Sequence, residues 1–468
     1  NPTDSTQYKL GEHWVDYEFV SKSIAVKDST EVHFTFKKTA NGAVLNGIAD
    51  QIDGTRPVSM WWTYTQLDNK VLNALYNLTH AQYKLEFQNS LHEIHAPGLN
   101  MMYGDADGNV AWWASAQLYQ IPDSINTKLI FEKNHRLPTD RDYLDFSQNP
   151  KAINPPWHYV YSANNQPDSI AGMLYPGYYL PENRAKRIVQ LLEPKNDWDK
   201  QSVMKMMIDD TSPVNKEIVT DLVKVLNVKN LEDNQLEILD KLNMWEGDYS
   251  LESTEATLFH RWIYHLLKNT FHDELGDDLF EQMLSTHFHK RLIAPLVRNP
   301  KSVWWDDMDT ESVIETQALI VQAAFQDALS SLEKDLGPEV SEWRWGRIHT
   351  LEHGHPIGQV EALRSFFNVG PFPVRGSREV INNMYFGYGE ANSYKVGHGP
   401  STRRVIDFSD IENSMSILPT GQSGNPFSKY YRDQAELFVE GKFRKMMLNK
   451  EEIISTSESL LTFKPVQE

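Results

Sequence analysis

The chain has 468 residues, 40% of them hydrophobic and 23% charged, which suits a folded globular protein of about two to four domains or one large layered domain. Its 64 acidic residues against 45 basic ones give a net charge of -19, which argues against nucleic acid or an anionic membrane surface as partner. The absence of cysteine excludes disulfides, thiolate metal sites and a cysteine nucleophile, and no apolar run approaches the roughly 20 residues of a membrane-spanning helix.

The first residues, NPTDSTQYKLGEHW, carry neither an initiator Met nor a basic-then-apolar leader, so this end is expected to result from processing or truncation and says nothing about secretion. Residues 15–47 alternate like strands, with Asn41-Gly42 as a hairpin turn. From Trp61 to Gln88 the period becomes helical, with Leu67, Val71, Leu75 and Leu78 near one face. Strand character returns in LNMMYGDADGNVAWWASAQLYQI, turned at Asp107-Gly108-Asn109. Asp105 and Asp107 would suit calcium in such a turn, but Ala116 stands where an EF-hand needs its closing Glu, so a plain hairpin is expected. Residues 122–156 are rich in Pro and Asp and read as a long surface loop. Of the tryptophans, Trp61, Trp62, Trp112 and Trp113 could line an apolar pocket, although the core is the expected home for most of them.

The stretch Asn154–Arg187 is the most pointed. An aromatic, strand-like run (Trp157, Tyr159, Val160, Tyr161) ends in Ala163-Asn164-Asn165-Gln166-Pro167, and a helical segment begins twenty positions after Asn164, at Arg184. An amide NH2 at a rigid strand end is a suitable donor for a developing oxyanion; the same residues equally suit an Asx turn, and local chemistry leaves both readings open.

From Arg184 to about Leu336 the pattern is helical. Phe259, Trp262, Ile263, Leu266 and Leu267 share one face, as do Ile314, Ala318, Val321, Phe325, Ala328 and Leu332, and Gly337-Pro338 is a stop. Beyond it, short strands such as RRVIDF and SMSILP alternate with Gly, Pro and Asn turns, and are expected to join a sheet also supplied by residues 15–47 and 100–165. His349, His353 and His355 resemble a metal cluster, but the Glu falls directly before the second His and Gly354 and Pro356 break any helix, against a zincin arrangement. His287 and His289 diverge on a helix and are expected at the surface. GQSGN has Asn425 where a nucleophile elbow needs Gly, and GYGEAN has Asn392 at the third Gly of a dinucleotide fingerprint.

Several blocks in order, APGLNMMYGDADGNVAWW, NPPWHYVYSANNQP, ENRAKRIVQLL, HTLEHGHPIG, FFNVGPFPVRG with INN, GPSTRRVIDFSD and LPTGQSGNPFSKYYRDQ, resemble the penicillin acylase (penicillin amidase) family of N-terminal-nucleophile hydrolases, here the C-terminal bulk of its β subunit. The resemblance implies an α+β, four-layer αββα fold with a large helical insertion. Residues 1–180 and 338–468 would form sheet-bearing parts of one core, and residues 181–337 a helical region. It further implies an amide hydrolase in which a freed N-terminal serine, upstream of Asn1, attacks an N-acyl substrate with its own α-amine as base. By position in the motif, Asn164 carries over as the side-chain oxyanion donor, with Asn165 its neighbour, and Arg184 as the Arg that orients it.

Partners implied are a small-molecule N-acyl substrate (a β-lactam, an N-acyl homoserine lactone or an acyl peptide) and the α subunit and N-terminal β segment of the same precursor. No cofactor is required. The resemblance allows a structural calcium ion whose main ligands would lie upstream of Asn1, and a periplasmic or secreted location. The competing expectations are a catalytically silent module binding a glycan or peptide through its aromatics, and a zinc-dependent hydrolase.

Overall fold

The computed structural model describes residues 1–465 except 50, 51, 53, 55, 122–125, 128, 132–142, 168–174, 176 and 389–393. The chain divides into two compact units, Asn1–Ser162 with Gln166–Tyr179, and Ala163–Asn165 with Leu180–Glu468.

In the first unit β1 (Gln7–Leu10) pairs with β2 (His13–Asp16), and β3 (Glu18–Ile24), β4 (Val32–Thr39), β5 (Gly42–Val44) and β6 (Ser59–Met60) form an antiparallel sheet. Asn41-Gly42 makes the expected β4–β5 turn. Gly42, at φ 125°, could not be replaced freely, because a Cβ there would lie 1.9 Å from the Met60 carbonyl oxygen. The helical period between Trp61 and Gln88 resolves into α1 (Thr63–Gln66), α2 (Val71–His80) and α3 (Lys84–Leu91). Leu75 is exposed and Ala74 is buried, while Val71 and Leu78 of the expected face are half-buried and Leu78 packs on the cluster that holds Ala74.

A third sheet orders β7 (Leu99–Gly104), β8 (Val110–Ser115) and β9 (Lys151–Ile153). The strict alternation of β8 buries Ala111, Trp113 and Ser115 on one face. Trp113 alone of the four tryptophans singled out is in the core; Trp62 is exposed and Trp61 and Trp112 half-buried. The hairpin turn stands, with Asp105 accepting from the Asn109 backbone and side chain and from the Tyr103 hydroxyl. The 122–156 segment is partly outside the described residues. Its end is not loop, since β9 pairs with β8 in register. The aromatic run before Ala163 forms no strand among the described residues, and His158 there takes φ 64°.

The second unit is mainly helical: α4 (Asn183–Leu192), α5 (Lys200–Met207), α6 (Pro213–Val225), α7 (Asp233–Met244), α8 (Thr254–Ser285), α9 (Phe288–Val297) and α10 (Gln317–Leu336). The starts follow capping chemistry. Ser212 caps α6 with Pro213 at its first position, Ser253 caps α8, and Asp199 caps α5. α10 stops at Gly337, at φ 95°. α8 is broken at Gly276, at φ 66°.

The predicted face of α8 is buried throughout, with Trp262, Ile263, Leu266 and Leu267 all at 0% exposure. On α10 the stripe begins later than expected. Ile314 lies outside the helix at 80% exposure and Ala318 is exposed, whereas Val321, Phe325, Ala328 and Leu332 are buried. The helix starts at Gln317, so Ala318 keeps the phase of the stripe but sits exposed in the first turn, where Gln317 and Ile320 are the buried residues.

The remaining helices are α11 (Trp345–Ile348), α12 (Glu361–Phe367), α13 (Ala435–Val439) and α14 (Lys450–Thr456). β10 (Thr350–His353) pairs with β11 (Val369–Pro373), and β12 (Arg403–Val405), β13 (Met415–Ile417) and β14 (Arg444–Lys445) make a small sheet containing RRV and MSI as expected. The single shared sheet is not observed. Among the described residues these strands pair only with one another, β10 with β11 and β12, β13 and β14 in turn. Helices and separate sheets together make the chain α+β.

Trp262 is fully buried on α8 against Phe325 of α10, with ring centres 4.9 Å apart. Trp262→Ala should lower unfolding free energy by about 3–5 kcal/mol, read from urea melts.

Candidate active site

Residues 163–165 fold back onto α4 by backbone and side-chain bonds. The Leu180 amide donates to the Asn164 carbonyl at 2.8 Å, and the Ala163 amide donates to Asn165 Oδ1 at 3.2 Å. Asn164 takes φ 60°, a left-handed conformation that Asn tolerates better than most residues. Arg184, in the first turn of α4, then fixes the segment. Its Nη2 donates to the Ala163 carbonyl at 2.7 Å and to Asn164 Oδ1 at 2.8 Å.

That second bond decides the orientation of the amide. A guanidinium has only donors, so it must face the oxygen of Asn164, and Nδ2 is turned the other way. Asn164 is exposed, and Nδ2 has no acceptor among the described residues. The arrangement therefore presents an oriented amide N–H pair outward from a fixed loop. Asn165 is placed differently, its oxygen occupied by the Ala163 amide.

Arg184 is held from behind by charge. Burial lowers its pKa from the ordinary value, and the neighbouring Glu379 carboxylate opposes that shift. Glu379 also pairs with Lys290 at 2.9 Å. Farther along α4, Arg187 grips Asp209 through Nε at 2.8 Å and Nη2 at 2.7 Å, anchoring the helix that carries Arg184. Neither Glu379 nor Lys290 was marked by the sequence reading. They lie far from Arg184 in the chain, and no local pattern singles them out.

The histidine candidates separate. His349 is fully buried, its Nδ1 2.6 Å from the Tyr394 carbonyl oxygen and its ring stacked on Trp345 at 4.6 Å. His355 Nδ1 instead accepts from the Ile357 amide as a helix cap, and its ring stacks on Phe367. His353 sits on β10. Among the described residues no group of three His, Asp or Glu is placed to hold a metal ion.

His289, expected at the surface, is buried because it turns inward to Arg378, whereas His287 is exposed. His260, unmarked in the sequence, is enclosed between Tyr388 at 2.6 Å and Ser377 at 3.0 Å, and both members of this Ser–His pair are buried. In GQSGN, Ser423 Oγ accepts from the Asn425 amide, and Gly421 is forced by the Tyr430 carbonyl oxygen, which a Cβ would meet at 1.8 Å. Asn392 of GYGEAN lies outside the described residues.

The chain matches the family described as penicillin amidase over residues 1–455. It belongs to the penicillin amidase family. Similar relatives include the acyl-homoserine lactone acylase QuiP of Pseudomonas aeruginosa, 22% identical over 89% of this chain and 53% of the relative. The protein of that name from Pseudomonas fluorescens is 24% identical over 94% and 54%. Penicillin G acylase of Escherichia coli is 22% identical over 95% and 54%. The chain thus spans about half the length of the curated relatives it matches. The solved thermostable penicillin G acylase of Alcaligenes faecalis is 18% identical, with a TM-score of 0.64, over 100% of this chain and 85% of that one. Its likeness shows the fold, the N-terminal-nucleophile hydrolase fold expected from the sequence.

The buried histidines of this family member predict a pH dependence. Burial lowers the pKa of His349 to about 4 from an unfolded value near 6.5. The unfolded chain therefore binds more protons between these values, so this contribution to stability is complete above the unfolded pKa and lost as pH falls through the folded one. Urea melts at about pH 5 and about pH 7 should show wild type losing more stability on acidification than His349→Gln.

Proposed function

We propose that this chain supplies the oxyanion-holding part of an amidohydrolase site that removes an acyl group from an amine. The observation that carries the reading is the 2.8 Å bond from Arg184 to Asn164 Oδ1, which leaves Nδ2 as an aimed donor. In this reading the freed N-terminal serine of the β subunit, upstream of Asn1, attacks the substrate carbonyl, and its own α-amine takes the hydroxyl proton. The carbonyl oxygen becomes an oxyanion and accepts from Asn164 Nδ2. On collapse the proton passes to the departing amine, and the acyl-serine is hydrolysed by water. Nothing in these steps calls for a cofactor.

The names of the relatives support N-acyl homoserine lactones and β-lactams as the first substrates to try, with acyl peptides third, and hence quorum quenching or antibiotic resistance as the setting. The α subunit and the N-terminal β segment from one precursor are the proposed partners. Exposed Ile24, Val32 and Phe34, on one face of the β3–β4 hairpin, offer apolar surface suited to such a partner. A periplasmic or secreted location goes with this proposal; no helix among the described residues is long and apolar enough to cross a membrane.

In the complete processed protein, Asn164→Ala should lower kcat by about 100- to 1000-fold on an N-acyl substrate with the fold intact. Arg184→Ala should lower it too, and the double variant should be little worse than either alone, since the two residues act as one unit. Wild-type turnover in Asn164→Ala would refute the assignment.

A further inference from the structure

We propose that a cavity in the helical unit is a binding site for a small carboxylate carrying a short apolar tail. The cavity, of about 200 Å³, is lined by the start of α4, by α6, α8 and α9, and by residues 378, 379 and 388. Its charged end is built around Arg378, which is only 3% exposed. Arg378 Nη2 donates to His289 Nε2 at 2.6 Å, and the guanidinium carbon lies 4.4 Å from the centre of the Tyr388 ring. Arg378 Nη1 has no hydrogen-bond partner among the described residues.

Neither neighbour supplies a counter-charge. His289 is neutral, because burial and the adjacent Arg378 lower its pKa to about 2. The carboxylate next along the chain, Glu379, pairs with Lys290 at 2.9 Å instead. Arg298, on the same cavity wall, is matched by Asp221 and Glu217. Among the described residues no ion pair reaches Arg378. A buried guanidinium with a free donor and no anion is costly to keep, and in a chain of net charge -19 it marks a local reversal of sign.

A carboxylate is the group a planar guanidinium holds best, by charge and by directed N–H donors together. The other wall is apolar, formed by Val214, Ile218, Ile263 and Ile293. An inorganic anion would satisfy Arg378 and leave that wall without a partner, whereas an aliphatic carboxylate meets both. The volume is below the roughly 300–1,000 Å³ of ordinary ligand pockets, which limits the tail to a few carbons. This inference goes beyond the acylase reading and stands without it.

The test is calorimetric titration of the complete processed protein with butyrate, and with butyramide and inorganic phosphate as probes lacking the charge or the tail. Butyrate should bind at one site, more tightly than either control. Affinity should fall about tenfold or more in Arg378→Met. Ala294→Leu, which narrows the cavity from α9 and leaves its charges in place, should abolish binding, and Asn164→Ala should leave it unchanged. If Arg378→Met does not fold, Arg378→Lys, which keeps the charge and loses the fork, serves in its place with the same direction of change. No binding of butyrate to wild type, or binding untouched by the Arg378 and Ala294 substitutions, would overturn the proposal. So would binding lost in Asn164→Ala, which would put the ligand at that residue, or phosphate binding as tightly as butyrate.

Discussion

The fastening of a three-residue loop by one guanidinium is the constraint from which the rest of the site takes its meaning. Ala163–Asn165 lies in no helix or strand, and such a segment ordinarily samples many conformations. Here a single nitrogen of Arg184 reaches both a backbone carbonyl and a side-chain amide oxygen, while the Leu180 amide holds the backbone from the other side. The guanidinium is in turn set by α4, and α4 by the Arg187–Asp209 pair. Removing any of these would loosen the amide without touching it.

Behind this layer the helical unit holds an unusual amount of buried polar chemistry. His260, His349 and Arg403 are almost wholly enclosed, and each is bonded locally: His260 by Tyr388 and Ser377, His349 Nδ1 by a carbonyl, and Arg403 by the Phe438 carbonyl, Asn382 and the Phe438 ring, while His349 Nε2 and Arg403 Nε have no hydrogen-bond partner among the described residues. Burial keeps the two histidines neutral and lowers Arg403 to about 10. Networks of this kind fix one packing among many that apolar contacts alone would allow, at the cost of sensitivity to acid.

Family blocks in the sequence therefore divide by what they do. The INN asparagine Asn382 accepts from Arg403 of TRRV, and LPTGQSGN is tied to Tyr430, Tyr431 and Gln434 through the Ser423, Gly421 and Leu418 amides; these blocks hold the fold. Asn164 and Arg184 were legible as a pair because the family order pointed to them together; local chemistry left an Asx turn equally open. The long faces of α8 and α10 were legible from period alone, since burial of one side is what a helical repeat encodes. The end of the 122–156 segment was not, because a three-residue strand has too little pattern to see. Nor were Glu379, Lys290 or Arg378. Their roles come from contacts across more than eighty positions of chain, which only the packed structure brings together.

The place of Arg184 in the first turn of α4 has an energetic side. The N-terminal end of a helix carries partial positive charge and disfavours a cation, typically by about 0.3–1 kcal/mol. By local rules a neutral or acidic residue would suit this position better. Such a residue would improve α4 as a helix and set the loop adrift. Intrinsic helix stability and the aim of the Asn164 amide thus pull in opposite directions at one residue, and the sequence has settled on the amide.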